Sequence, residues 1–205
     1  KPAAQTPLSM LALAGILAEA GLPDGVLNVV TTTQAGGVME PMIRDGRARK
    51  LSFTGSTGVG RKLLEQCADT VMRTSMELGG NAPFLVFEDA DLDAAVDGAM
   101  QAKMRNIGEA CTAANRFYVH SSVADEFSRK LTERMEALPI GRGTEDGVVV
   151  GPLIDTAAID KVSELVGDAA QRGATVLTGG ATVDGPGNFY QPTVLTGVPR
   201  EARMT

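Results

Sequence analysis

Cys111 is the residue of this chain best placed to act as a nucleophile. It follows a glycine-containing turn, and three small residues come after it: Thr112, Ala113 and Ala114. A thiolate is the reactive form of cysteine, so such a residue needs an exposed polar setting and usually a nearby base. From the spacing alone, a free cysteine that is simply buried explains Cys111 equally well.

The second cysteine, Cys67, has a different setting. It falls at helical spacing behind Val59 and Leu63, which places it on the apolar stripe of a predicted helix. We therefore expect Cys67 to have a packing role. Two cysteines and one histidine also exclude a disulfide framework and a multi-thiolate metal cage, and we expect no metal site.

A thiol nucleophile needs a base, and the sequence offers two candidates. His120 is the only histidine and ends a predicted strand; nothing in the spacing brings it to Cys111, so we interpret it as structural. Glu77 lies in the apolar stretch MELGG, and a carboxylate in low-polarity surroundings can accept a proton near neutral pH. An edge-strand or capping carboxylate is the other explanation of Glu77, and the spacing leaves both open.

The stretch GSTGVG, from Gly55 to Gly60, lies between a predicted strand and a predicted helix. Backbone N–H groups and the helix dipole favour an anionic group such as pyrophosphate at this kind of turn. The stretch is not the GxGxxG fingerprint, and glycines at strand–helix turns more often serve geometry alone. By itself it is a weak indication of a phosphate site.

The composition is that of an ordinary globular protein. The 205 residues are 43% hydrophobic and 21% charged, which excludes a disordered tail, a collagen-like repeat and a polar linker. The net charge of −6 makes nucleic acid an unsuitable partner. No apolar run is long enough for a membrane span and no signal peptide opens the chain, so a cytoplasmic protein is expected.

Short β-rich runs alternate with amphipathic helical stretches, which predicts an α/β protein with a largely parallel sheet. A domain boundary is predicted near Gly79, where two glycines interrupt two extended segments. The other predicted strands are 25–30, Lys50–Gly55, 116–120, 147–154 and 174–180. Four helices are predicted in the first half of the chain: 6–20 with a Thr6–Pro7 start, 34–43, one through 59–67, and one from Asp91 to near Arg105. Two more follow, each with an apolar stripe. The first stripe is Val123, Phe127, Leu131 and Met135, and the second is Ile159, Val162, Leu165 and Ala169.

Four motifs occur in order along the chain: KPAAQTPLS at its start, LSFTGSTGVG, MELGGNAP and GEACTAANR. Together they resemble the NAD(P)-dependent aldehyde dehydrogenase superfamily, and the stretch from Met76 to Phe117 is most similar to succinate-semialdehyde dehydrogenases. The resemblance implies that residues 1–79 are the C-terminal part of a parallel-sheet dinucleotide-binding domain. This part is joined to an α/β catalytic domain, residues 80–205, that carries the thiol and is truncated at its C-terminal end.

The resemblance also implies roles for single residues. By motif position, the nucleophile falls on Cys111 and the general base on Glu77. The implied reaction forms a thiohemiacetal on the cysteine, passes a hydride to NAD or NADP, and hydrolyses a thioester. Arg105 matches the arginine that binds the substrate carboxylate in succinate-semialdehyde dehydrogenases, a suitable role for a guanidinium fork.

Four further residues match cofactor contacts of the family. They are Lys1 near the adenosine ribose or its phosphate, Ser56 at the pyrophosphate with Gly55 beside it, and Gly79 near the nicotinamide. Ala4 stands where many NAD-preferring relatives carry a glutamate. Alanine neither accepts from the ribose 2′-hydroxyl nor repels a 2′-phosphate, so the cofactor is NAD or NADP.

Three positions depart from the family pattern: Glu109 replaces a common glutamine, Gly58 a larger residue, and Ala113 a cysteine found in several relatives. The family's segments before Lys1 and after Thr205 are not in the chain, so we expect the 205 residues alone to form an incomplete active site. At full length, the resemblance implies a homo-oligomer, dimer or tetramer, acting on a small aldehyde. A related semialdehyde dehydrogenase, a cofactor-free thiol acyl hydrolase and a non-catalytic module are the alternatives.

Overall fold

The computed structural model describes all 205 residues, which form two compact units, Lys1–Gly79 and Gly80–Thr205. Unit 1 contains α1 (Leu8–Glu19), α2 (Ala35–Arg44), β1 (Lys50–Gly55), α3 (Thr57–Ala68) and β2 (Arg73–Leu78). Unit 2 contains β3 (Ala82–Val86), α4 (Leu92–Met104), β4 (Ala114–Val119), α5 (Ala124–Glu136), α6 (Thr156–Gln171), β5 (Thr175–Thr178) and β6 (Val194–Thr196). The predicted α/β class is confirmed.

In unit 1, β1 and β2 are parallel neighbours, paired from Lys50 with Arg73 to Gly55 with Leu78. Parallel strands need a crossover connection, and α3 supplies it. The core beneath them consists of four buried residues, Ile43, Leu51, Cys67 and Met72. The Cys67 thiol is 3.9 Å from the sulfur of Met72, so its predicted packing role is confirmed.

The first helix is present, but it does not begin as predicted. Its N-cap is Pro7, no side chain bonds to its free amides, and the Thr6 cap is therefore wrong. The glycine stop is confirmed, because Gly21 follows the C-cap residue Ala20 and has φ +89°. No residue of α1 is buried.

Two predicted strands do not form, and in both cases the backbone lacks a continuous pairing partner. Residues 25–30 are irregular because the sheet of unit 1 consists of β1 and β2 only, and strand geometry is stabilised by a neighbour. Residues 147–154 make a single bridge, Val150 with Ile140. Pro139 and Pro152 flank that bridge and have no N–H to extend the pairing.

In unit 2, β3 and β4 are parallel, and their side chains alternate between a core face and an outer face. Phe84 and Phe117 are register partners whose ring centroids lie 5.5 Å apart, and Phe117 lies 6.3 Å from Phe127 of α5. Leu85 and Tyr118, on the opposite face, are exposed. This alternation fixes which side of β4 meets the helices.

Helices α4 and α5 complete the main core of unit 2. Asp91 caps α4 as predicted, its carboxylate accepting from the amides of Asp93 and Ala94 at 3.0 and 3.1 Å. The predicted stripe of α5 is confirmed by burial of Phe127, Leu131 and Met135. The two helices are also joined by Lys130, whose ammonium lies 2.6 Å from the Asp93 carboxylate.

The last elements form a separate small cluster. Helix α6 is present where its stripe predicts it, and its Ala169 packs with Ala174 and Ala202. Strand β5 pairs with β6 in the antiparallel sense. The sequence pattern did not predict β6, which is only three residues long.

Candidate active site

The carboxyl ends of β1 and β2 bring several of the candidate residues of unit 1 to one edge of its sheet. Gly55 is the last residue of β1, and Glu77 is the next-to-last residue of β2, where it pairs with Thr54. In open α/β sheets, ligands bind outside the carboxyl ends of parallel strands. The edge that carries Gly55, Ser56, Glu77 and Gly79 is therefore the expected position for a cofactor.

Ser56 is the N-cap of α3. Its backbone is extended, with φ −71° and ψ 146°, and its Oγ accepts from the Val59 amide at 3.4 Å. The first intrahelical bond runs from Gly60 N–H to the Ser56 carbonyl at 2.9 Å. The amides of Thr57 and Gly58 therefore have no acceptor in the helix.

Free amides at a helix N-terminus, with a serine hydroxyl beside them, fit the pyrophosphate of a dinucleotide. Gly58 has open space where a side chain would project, so it does not obstruct an approaching phosphate. The donors at this turn thus match the group that the sequence predicts there.

Gly60, the last glycine of GSTGVG, has a role that sequence reasoning missed. A methyl group at this position would lie 2.7 Å from a terminal methyl of Leu78. Glycine therefore allows α3 to lie close to β2. The sequence does carry a signal for this role, because a glycine at the fourth position of a helix, facing the next strand, is typical of close helix–strand packing.

Of the two explanations left open for Glu77, the structure does not support a carboxylate in low-polarity surroundings, because its side chain is exposed. The reason is the two-residue period of a strand. Met76 packs against the core of unit 1, so Glu77 points to the opposite face. Lys1 and Gly79 are also exposed, and their predicted roles stay predictions.

In unit 2, Cys111 lies in the segment 105–113, between α4 and β4. The segment starts as a 3₁₀ turn, Arg105–Gly108, in which three successive residues have positive φ: Asn106 at +54°, Ile107 at +52° and Gly108 at +83°. This conformation is strained for a β-branched residue such as Ile107. The backbone of Glu109 and the Asn106 side chain stabilise the turn, through bonds of 2.9 and 3.2 Å.

Cys111 itself is exposed, whereas Cys67 is buried. It lies inside a turn closed by the Ala113 amide, which donates to the Ala110 carbonyl at 3.0 Å. Gly80 approaches it closely, because a Cβ on Gly80 would lie 3.5 Å from the Cys111 carbonyl oxygen. The buried-cysteine explanation of Cys111 is therefore wrong for this structure.

The segment next to Cys111 is tied to the start of β3. The Arg116 guanidinium donates two bonds to the Asn81 carbonyl, one of them at 3.0 Å. The side-chain oxygen of Asn81 is buried and has no hydrogen-bond partner. The two strand starts, β3 and β4, are thus fixed to each other beside the thiol.

Arg105, predicted to bind the substrate carboxylate, and His120, predicted to be structural, are the other two candidates of unit 2. Arg105 is exposed and makes no ion pair within the chain, so its guanidinium is free to bind an anion. The His120 ring is held in the turn after β4, with Nδ1 2.8 Å from Ser122 Oγ and Nε2 3.8 Å from Glu88. This local arrangement agrees with a structural histidine.

The structure offers neither a cluster of metal-binding side chains nor a helix that could cross a membrane. No group of three or more His, Cys, Asp and Glu side chains is arranged to hold a metal ion. None of the helices has both the length and the apolar character that a membrane crossing requires.

Comparison with known proteins covers the whole chain. The chain is 60% identical to a succinate-semialdehyde dehydrogenase of Paenarthrobacter nicotinovorans and 52% identical to a glutarate-semialdehyde dehydrogenase of Pseudomonas putida, spanning 45% and 42% of their lengths. A crystal structure described as an Escherichia coli NADP dependent enzyme superimposes with a TM-score of 0.95 at 52% identity, over 99% of this chain and 42% of that one. The chain thus spans less than half the length of these relatives. The model of the aldehyde dehydrogenase family matches residues 1–205, and the chain belongs to that family.

Proposed function

We propose that this chain carries the thiol, the general base and part of the cofactor site of an enzyme that oxidises succinate semialdehyde to succinate with NAD or NADP. The observation that carries the proposal is the exposed Cys111, on a strained loop within a chain that matches the family throughout. Positions held in rare backbone conformations are often functional.

The chemistry assigned to Cys111 is nucleophilic. Its thiolate adds to the aldehyde carbon and forms a thiohemiacetal, and loss of hydride from that carbon leaves a thioester on the sulfur. A donor is needed for the oxygen that gains negative charge, and the Cys111 amide is the one that this chain offers. The oxidised nicotinamide ring, when bound, supplies the hydride acceptor.

Glu77 is assigned the second half of the reaction, in which it takes a proton from the water that hydrolyses the thioester. Its exposed position supports access to water. Its place at the carboxyl edge of the sheet supports a position close to the cofactor. That Glu77 reaches the thiol is part of the proposal.

The cofactor is assigned to the edge that carries Gly55, Ser56 and Gly79, with Lys1 at the adenosine ribose. The free amides at the start of α3 support binding of the pyrophosphate. A similar solved structure is described as NADP dependent, while Ala4 in this chain favours neither cofactor. We therefore assign NAD or NADP.

Succinate semialdehyde is proposed because a free guanidinium, Arg105, lies six residues before the thiol on the same loop. A carboxylate at the far end of the aldehyde would pair with it. The names of two relatives, one for succinate semialdehyde and one for its glutarate homologue, support this substrate class. One methylene changes discrimination by only about 1–3 kcal/mol, so both substrates belong in the test.

The test is a steady-state assay of the complete polypeptide, with an aldehyde series crossed against NAD and NADP. Cys111→Ala should abolish turnover. Glu77→Gln should leave a rapid burst of about one reduced cofactor per site, followed by slow turnover, because thioester hydrolysis depends on the base. Glu65→Gln, an exposed carboxylate on α3, is the matched control and should behave as wild type.

Unchanged turnover in Glu77→Gln would remove Glu77 from the reaction. The alternative, a cofactor-free acyl hydrolase, predicts a different result. Cys111 would then hydrolyse esters without reducing a cofactor, and Ser56→Asp would leave that hydrolysis unaffected. The 205-residue chain alone should show no aldehyde-dependent cofactor reduction, and robust reduction would contradict the proposal that its site is incomplete.

A further inference from the structure

Segment 105–113, the Cys111 loop, is followed by an irregularity in the pairing of β3 with β4. Ala82 pairs with Ala114, but the next residue of β3, Pro83, pairs with Arg116. Asn115 is therefore an extra residue with no partner on β3. Pro83 has no N–H to contribute to the pairing, and a bulge of this kind redirects a side chain.

The redirected Asn115 side chain meets a lysine from the other end of the loop. Lys103 lies in the last turn of α4, and its Nζ donates to Asn115 Oδ1 at 2.6 Å. Burial lowers the pKa of Lys103, which agrees with a neutral amide as its partner. The bond joins the two ends of the segment that contains Cys111.

Lys103 also contacts the strained turn within that segment. A Cβ on Gly108 would lie 3.1 Å from both the Nζ and the carbonyl oxygen of Lys103. The lysine side chain therefore lies directly against the last of the three residues with positive φ. Such a backbone persists only where its surroundings hold it, and Lys103 is in contact with it.

We infer that Lys103 and Asn115 form a positioning pair that holds the Cys111 loop in its strained conformation. Neither residue is assigned contact with substrate. The pair acts on the loop, and its effect on catalysis rests on the proposed function of Cys111. Its effect on loop stability does not depend on that function.

Hydrogen exchange of the chain tests the pair directly. In Lys103→Met, the amides of segment 105–113, including those of Glu109 and Ala113, should exchange about tenfold faster, the loss expected for a hydrogen bond involving a charged donor. Asn115→Ala should give the same acceleration, and the double variant should add nothing further. Asn115→Asp keeps an acceptor oxygen and should retain the protection.

Lys130→Met is the matched control, because it removes a lysine with an equally short 2.6 Å bond on α5. It should leave segment 105–113 unchanged. Unchanged exchange of this segment in Lys103→Met would overturn the inference. An equal acceleration throughout unit 2 would also overturn it, since that result indicates a general loss of stability.

Kinetics of the complete polypeptide separate this inference from the proposed function. Lys103→Met should lower kcat about tenfold or more while KM for the cofactor stays unchanged, because only the thiol loses its position. A kcat equal to wild type would overturn the catalytic part of the inference. A wild-type polypeptide without aldehyde activity would refute the proposed function, and the exchange experiment would still decide whether the pair holds the loop.

Discussion

Thr54 and Glu77 are direct neighbours in the parallel pairing of β1 and β2. The residue after Thr54 is Gly55, which leads into the Ser56 cap of α3. The proposed general base and the proposed pyrophosphate turn are therefore fixed to the same sheet edge by backbone hydrogen bonds. A rigid connection of this kind suits a base that must be held close to a bound cofactor.

Ser56 caps α3 and is proposed to contact the pyrophosphate, and two substitutions separate these two roles. Ser56→Ala removes the cap and should cost about 1 kcal/mol of unfolding free energy. Ser56→Asp keeps an acceptor for the Val59 amide, so stability should be retained, but its charge should repel pyrophosphate and raise KM for the cofactor on the order of tenfold. Thermal unfolding and cofactor titration measure the two effects. If both variants bind the cofactor as tightly as wild type, the assignment of Ser56 to the pyrophosphate is contradicted.

Arg105 is expected to select substrates with a carboxylate. Arg105→Ala should raise KM for succinate semialdehyde about tenfold to a hundredfold, the loss expected for a charge-assisted hydrogen bond. KM for an uncharged aldehyde should change little. Arg129→Ala, an exposed arginine of α5 paired with Glu133, is the control. Equal losses on both aldehydes would remove Arg105 from substrate recognition.

The two cysteines should differ greatly in reactivity. Cys67 is 2% exposed and burial raises the pKa of its thiol, so its reaction requires local opening, while Cys111 is already exposed. A thiol-selective alkylator should modify Cys111 about a hundredfold faster or more. Peptide mass spectrometry over time measures both rates in one sample. Equal alkylation rates of the two cysteines in the native chain would favour the non-catalytic module. As a control, unfolding the chain in denaturant should make the two rates equal.

Glycines of unit 2 provide a stability test. Gly179 has φ +72°, and a Cβ there would overlap the Pro192 carbonyl oxygen, so Gly179→Ala should destabilise by about 2–4 kcal/mol. Gly167, in the interior of α6, has no heavy atom within 4 Å of such a Cβ. Gly167→Ala should therefore be neutral or stabilising by up to about 1 kcal/mol. Chemical denaturation of both variants checks the prediction, and a similar loss in both would contradict it.

Local signals predicted most of the helices and the central strands. The Asp91 cap, the stripe of α5 and the bounds of β1 follow from side-chain types and spacing, which the structure preserves. The strands predicted at 25–30 and 147–154 fail because a strand depends on its neighbour as well as on its own residues. Strand β6 could not be predicted for a different reason, since its three residues are too few to show an alternating pattern.

The candidate site was predictable in its residue types but not in its surroundings. The small residues around Cys111 indicated an accessible thiol, and the structure exposes it. The apolar neighbours of Glu77 left open whether its carboxylate is in low-polarity surroundings, and alternation along β2 turns it outward. The bond between Lys103 and Asn115 had no sequence signal, because it depends on the irregular pairing opposite Pro83.

The odd residue in β4 also constrains how this chain can change in length. Deleting Asn115 would make the pairing continuous and leave Phe117 opposite Phe84, so the strand would keep its facing but lose the acceptor of the Lys103 bond. Deleting a residue after Asn115 would instead turn the rest of β4 to the opposite face of the sheet. Homologous sequences should therefore rarely gain or lose a single amino acid between Arg116 and Val119, whereas loss of the extra residue before Arg116 should go with a different contact for the lysine of α4.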